Sequence, residues 1–324
     1  MRTFLFAVAI VLTAGCRQAE TSAPCETPES DGPQPKELVQ MRMKGLRFHA
    51  TDTVIIEIPN LRGELIPTRE GKPADTDDAN SYVIRLASAT IRVPETSITA
   101  DFRDYVLGGT GAPIDGLRVR AKDGLFQFTG RLKPGVPFDI TAGVEMRDDG
   151  KMHVTTRRLE TAGIGVRGLS EKTGVDLHRI LGSHDDRGVH VDGNDMSVDV
   201  AKAFPAPHME GTLLSAKAVD GALELRYGPS PKLSAAGKKA LPPVDAVHYI
   251  QHYGGVLASG KVTVIGADQH MVDADPTDAF DYSGTDFAEI QLPASTIRVS
   301  RGQTTTFLVP DLDEVEVKRV RGRD

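Results

Sequence analysis

PFDITAGVEMRDDGKMHV, residues 137–154, decides the fold. Phe138, Ile140, Ala142, Val144 and Met146 alternate with Asp139, Thr141, Gly143, Glu145 and Arg147. Side chains of an extended strand point to opposite faces in turn, so this pattern predicts a strand with one apolar and one polar face. Arg147-Asp148-Asp149-Gly150 supplies turn residues, and Met152 and Val154 then resume the alternation. Two such strands joined by a tight turn make an antiparallel hairpin, and its apolar face must be covered.

The same period of two extends in both directions. Leu117, Val119 and Ala121 alternate with Arg118, Arg120 and Lys122, and Phe126 shares a face with Phe128. Lys122-Asp123-Gly124 predicts the turn between these runs. Val54, Ile56 and Ile58 form another one-sided run. Helical spacing is scarce. In SITADFRDYVLGG, Ile98, Phe102, Tyr105 and Val106 fall on one stripe, with Ser97 as the expected N-cap and Gly108-Gly109 as the stop. A second helix is expected over LSEKTGVDLHRILG, capped by Ser170, with Leu177, Ile180 and Leu181 on one face and Gly182 after its end. The fold class expected is therefore α+β and β-rich: a long antiparallel sheet with two amphipathic helices.

Between the last of these strands and the second helix stands Gly163-x-Gly165-x-x-Gly168, the letter pattern of a dinucleotide-binding turn. Such a turn follows a buried parallel strand, which reads as a continuous apolar run. Here HVTTRRLETA precedes it, polar and alternating, and no second parallel strand follows. The glycines are read as architectural, and no nucleotide or other cofactor is expected.

The N-terminus begins with Arg2, continues with an apolar run from Phe4 to Leu12 and ends in Ala14-Gly15-Cys16. This is the layout of an export signal, too short to span a bilayer. It resembles bacterial lipoprotein signals, which implies that residues 1–15 are removed and that Cys16 is acylated. Arg17 follows in place of Asp, so by the same resemblance the periplasmic face of the outer membrane is the expected location, with the inner membrane and cell surface as alternatives. Residues 16–37 are rich in Ser, Thr, Pro and Glu and read as a flexible tether. With Cys16 acylated, Cys25 has no partner for an intrachain disulfide. A formal charge of −7 argues against binding a nucleic-acid backbone, and 40% hydrophobic residues suffice for a substantial core.

Three acidic or histidine-bearing clusters are candidates for chemistry. Asp192-Gly193-Asn194-Asp195 with His190, Asp185 and Asp186 lacks the closing Glu of a calcium loop and reads as a hairpin turn. His248 and His252 share a strand face without an evident third ligand. Asp268, Asp273, Asp275, Asp278 and Asp281 read as a solvated acidic loop. No metal site is expected. Neither a Gly-x-Ser-x-Gly elbow nor His-Glu-x-x-His occurs, and no enzymatic activity is expected.

Alternating strands, TSITADFRDYVL, further strands, GVRGLSEKTGVDLHRILG and then GVHVDGNDMSVDVAKAFPAPHMEGTLLSAKAVDGALELRYG follow in that order. This order resembles the bacterial branch of the tubular lipid-binding (TULIP) superfamily over roughly residues 40–228. The resemblance implies a long, curved sheet wrapped around helices, enclosing an apolar tube for acyl chains. Residues 38–228 are accordingly expected to be a lipid-binding domain and residues 229–324 a β-rich extension, either continuing the sheet or forming a lid. Val119, Phe126, Phe128, Phe138, Ile140, Val144 and Val154 are the candidate lipid contacts; the alternative for each is an ordinary packed core. The function expected is to hold or transport phospholipid or another lipid without chemistry, attached to the membrane by the acylated N-terminus. The alternative is an envelope assembly lipoprotein whose groove binds a protein partner instead.

Overall fold

The computed structural model describes residues 38–107, 114–132, 135–161, 164–165, 185–259, 262–284, 287–300 and 304–315. Cys16, the tether and the helix expected over residues 169–182 lie outside the described residues. The larger sheet begins with β1 (Val39–His49), β2 (Ile55–Pro67), β3 (Ala74–Asp75) and β4 (Tyr82–Pro94). The chain then leaves it to build the smaller sheet from β5 (Ile114–Lys122), β6 (Leu125–Leu132), β7 (Val136–Met146), β8 (Met152–Thr161), β9 (Ile164–Gly165), β10 (Val189–Asp192) and β11 (Asp195–Val198). It returns to the larger sheet with β12 (His208–Glu210), β13 (Thr212–Val219), β14 (Ala222–Gly228), β15 (Tyr249–Ser259), β16 (Val262–Asp273), β17 (Phe280–Ser283), β18 (Thr296–Val299) and β19 (Thr305–Val309). Helix α1 (Glu95–Asp101) runs on as a π-turn over Phe102–Val106, and a single-turn helix α2 (Val200–Ala203) follows β11.

The β-rich α+β class holds, but one long antiparallel sheet does not. The smaller sheet is antiparallel, in the order β10-β11-β8-β7-β6-β5 with β9 beside β8. The larger sheet, β13-β14-β4-β2-β1-β15-β16-β19-β18, is mixed: β17 pairs parallel with β1, β12 with β4, β3 with β15, and β19 with β16. Parallel neighbours need long crossover connections in place of tight turns, so short segments distant in sequence fill these positions.

The hairpins follow their turn residues. Asp123 and Gly124 have φ of 52° and 75°, positive at both central positions as a two-residue type I′ turn requires. Their flanks pair Ala121 with Phe126 and Val119 with Phe128. Beyond Arg147–Gly150, Val144 stands opposite Val154, and Met146 opposite Met152. Asp192 and Asp195 close the β10–β11 hairpin around Gly193, at φ 57°. Ile164 and Gly165 of the glycine pattern pair antiparallel with Thr161 and Glu160 of the preceding strand. That is a hairpin and not the strand-to-helix crossover of a dinucleotide site; Gly163 and Gly168 lie outside the described residues.

Helix α1 begins three residues earlier than the Ser97 cap predicts, directly after Pro94. The Ser97 hydroxyl accepts the Ile55 N–H at 3.0 Å instead. Two other helix side chains reach β5 at the margin of the smaller sheet. Thr99 Oγ1 accepts the Val119 N–H at 2.9 Å, and the Glu95 carboxylate accepts the Ala121 N–H at 3.0 Å. Gly221, in the β13–β14 turn, donates to the Ala121 carbonyl at 2.8 Å. The helix is thereby fixed where β4 of one sheet gives way to β5 of the other.

Gln34–Asp324 is one compact unit, so the boundary drawn at residues 228 and 229 falls inside it. Of the two expectations for the C-terminal segment, it continues the sheet: β15 pairs with β1 from Gln40↔Tyr253 to Lys44↔Tyr249. The connection after β14 is also pinned down. The fully buried Glu64 accepts from the Ser234 N–H at 3.0 Å, the Ser234 hydroxyl at 2.5 Å and Arg85 Nη1 at 3.4 Å. Arg62 donates to the Gly237 carbonyl at 3.2 Å, and Arg42 to that of Pro242.

Candidate functional site

The apolar faces of β6, β8, β10 and β11 meet α1, its π-turn, α2 and Leu223 of β14 around a small cavity of about 40 Å³. Phe126 and Phe128 come from β6, Met152 and Val154 from β8, and Met196 and Val198 from β11. Ile98, Phe102 and Val106 project from the helical side. The π-turn adds a residue to one turn of the helix, so Val106 faces the cavity. Tyr105 instead carries the Arg187 guanidinium 4.4 Å from its ring centroid. Phe102 meets Phe128 edge-on, at 6.1 Å between centroids and 71° between planes, and Phe126 lies 6.1 Å from Phe128 at 53°. These offset arrangements are the favourable ones for aromatic pairs. At about 10–15 Å³ for one water-sized probe, the cavity has room for a few atoms.

Of the seven candidate lipid contacts, Phe126, Phe128 and Val154 line the cavity. Val119, Phe138 and Ile140 occupy the same face of the sheet but are packed into the core beside it. The Phe138 ring lies over Gly130, where a Cβ would come within 2.9 Å of the ring's Cζ. Val144 is half-buried opposite Val154 and is not part of the lining.

Sequence reading missed Asp101, the one ionisable residue among the fourteen that line the cavity. It is 3% exposed, and its Oδ1 has no hydrogen-bond partner. Burial, assisted by the nearby Asp104, pushes its carboxyl up to a pKa of about 7. The signal was its position: three residues after Ile98 and one before Phe102, it falls inside the apolar stripe.

Several members of the three clusters pair with a neighbour and not around a common centre. His190 Nδ1 lies 2.8 Å from Asp185, and His248 Nδ1 lies 3.2 Å from Asp273. His252 is buried, its Nδ1 without a partner, and burial pushes its pKa down to about 4, which keeps the ring neutral. Asp281 pairs with His49 at 2.6 Å. Among the described residues no group of three or more His, Cys, Asp or Glu side chains is arranged to hold a metal ion.

No family model, curated protein or solved structure matches the chain. Any functional reading therefore rests on its own residues.

Proposed function

We propose that the protein is a lipid-anchored envelope protein that holds the end of an apolar ligand, a lipid acyl chain foremost, between its smaller sheet and α1, without chemistry. The observation that carries this reading is the composition of the cavity wall: thirteen apolar side chains and one carboxyl group. Ligand sites are lined in this way, mainly apolar with a few placed polar groups. The volume suits chain-end carbons; the rest of such a ligand lies outside it. The lipoprotein-like signal ending at Cys16 supports a place at a membrane, and the resemblance to tubular lipid-binding proteins supports the ligand class.

The test is lipid extraction and mass spectrometry of the purified full chain carrying Cys16→Ser, beside the same chain with Ala203→Val. Ala203 is a buried residue of the cavity wall. Two added carbons should fill the space, raise stability by about 0.5–2 kcal/mol and reduce the bound lipid. Lipid load unchanged in a folded Ala203→Val variant would place the ligand elsewhere. Overpacking would announce itself as a loss of about 1–3 kcal/mol in the melting curve.

Anchoring is checked separately. Cys16→Ser should move the protein from the membrane to the soluble fraction, because the lipid group of such signals is attached through the cysteine sulfur. Unchanged membrane fractionation refutes the anchor and leaves the cavity reading standing.

A second reading, an assembly protein that binds a protein partner, is favoured by the outer strands of the larger sheet. Val262 and Ile265 of β16 and Ile297 and Val299 of β18 are 41–58% exposed. A wild-type chain that carries no lipid favours this reading.

A further inference from the structure

One atom of the cavity wall is not satisfied by an acyl chain. Asp101 Oδ1 is buried without a partner, in a wall otherwise made of carbon and methionine sulfur. A buried acceptor without a hydrogen bond is costly, and native structures keep few of them. Asp104, the acid whose charge acts on Asp101, is held by Arg103 and by the Thr53 hydroxyl at 3.3 Å. No ion pair to Asp101 occurs among the described residues. From β6, β8, β10, β11, α2 and β14, the residues facing the same cavity are all apolar.

We propose that Asp101 receives a hydroxyl group carried near the end of an apolar ligand, so that the site selects a hydroxylated hydrocarbon chain. This rests on the reading of the cavity as an apolar-ligand site. The alternatives are less well matched. A ligand carboxylate would meet another acid with no cation to compensate. An ammonium needs three acceptors, and the wall offers one carboxyl group. A hydroxyl donates one hydrogen bond and accepts another, so it pairs with a carboxylate and equally with a carboxylic acid. Both forms are populated near neutrality, because burial holds the Asp101 carboxyl near a pKa of 7. The cavity volume also matches a hydroxyl with the carbons adjoining it.

The experiment compares decanol, decyl methyl ether, decanoate and decylamine as probes, titrated by calorimetry into the delipidated full chain carrying Cys16→Ser. Decanol should bind at least about tenfold more tightly than the ether, which accepts hydrogen bonds but donates none. Asp101→Leu should abolish that preference while still binding the ether, and Asp101→Asn, which retains hydrogen-bonding capacity, should preserve part of it. Neither substitution introduces a buried charge, and a melting curve beside each titration confirms folding. Equal affinity for decanol and ether in the parent chain, or a preference that survives Asp101→Leu, overturns the role of Asp101 and leaves the apolar site intact. Tightest binding of decylamine or decanoate overturns the hydroxyl class. Failure of all four probes to bind overturns the apolar site and this inference with it.

Discussion

Replacement of Glu64 by Ala is expected to cost about 3–5 kcal/mol of stability, the range found when one partner of a buried ion pair is removed. Glu64 is fully buried on β2 and stands opposite Arg85 of β4 in register. Its carboxylate accepts from Arg85, from the Ser234 backbone and from the Ser234 hydroxyl. Truncation leaves a guanidinium with less compensation and two donors of the post-β14 connection without their acceptor. Arg85 keeps Glu210 at 3.0 Å, which moderates the loss. Urea unfolding measures it, and Glu64→Gln, which keeps an acceptor without the charge, should fall between. The damage should also be local: trypsin should cut at Lys232, Lys238 or Lys239 in the Ala variant before it does in the parent. A loss under about 1 kcal/mol would show that Arg62 and Arg42, with their carbonyl contacts, hold the connection by themselves.

The second large effect depends on pH. The Asp101 carboxyl has an ordinary value of 3.8 in the unfolded chain and about 7 in the folded one, with burial as the main cause and Asp104 second. Between those values the folded state keeps a proton that the unfolded state has released. The stabilisation is therefore complete below about pH 4 and is lost as pH rises through 7. At about 1.4 kcal/mol per pH unit separating the two values, roughly 4 kcal/mol is at stake. Asp101→Asn removes this dependence, so the variant should match the parent near pH 4 and exceed it by roughly that amount at pH 8. Asp311, also raised to about 7 by burial and by Asp273, Asp278 and Asp281, contributes a slope of the same sign in both proteins. Buried neutral His252 acts oppositely, destabilising the fold as pH falls below 6.5 toward 4. The difference between variant and parent isolates Asp101, and parallel urea-midpoint curves from pH 5 to 8 would contradict its assigned burial.

Hairpins were legible in the sequence because their information is local. Asp123-Gly124 specifies a turn, and the alternation of residues 138–146 specifies a face. The parallel pairings were not legible: β3, β12 and β17 have two to four residues each and owe their places to partners far along the chain. LASATIRV and LPASTIRV make the same point. Residues 86–93 form a largely buried central strand, whereas 292–299 begin as a turn of 3-10 helix and end as the exposed strand β18. At the candidate site, period two found the correct face of the smaller sheet but not which members of that face border a cavity. That depends on the helix laid across it. Phe126, Phe128 and Val154 lie under the helix side, while Ile140 packs within the core. Asp101 escaped notice because a carboxylate in a helix is ordinarily assigned to the solvated side, whereas here it is buried facing a cavity shared with Phe128, Met152 and Val154.

The anchoring of α1 on β5 has a consequence for how this protein behaves among copies of itself. An uncovered marginal strand offers a row of backbone donors and acceptors that can template a strand from another chain, the route to fibrils and swapped dimers. At β5 two of those donors are taken by Thr99 and Glu95, and the Ala121 carbonyl by Gly221. The helix thus closes this strand to intruders. At β18 all four residues are exposed and, among the described residues, no strand pairs with its outer side, so strand-to-strand association of this chain would begin there.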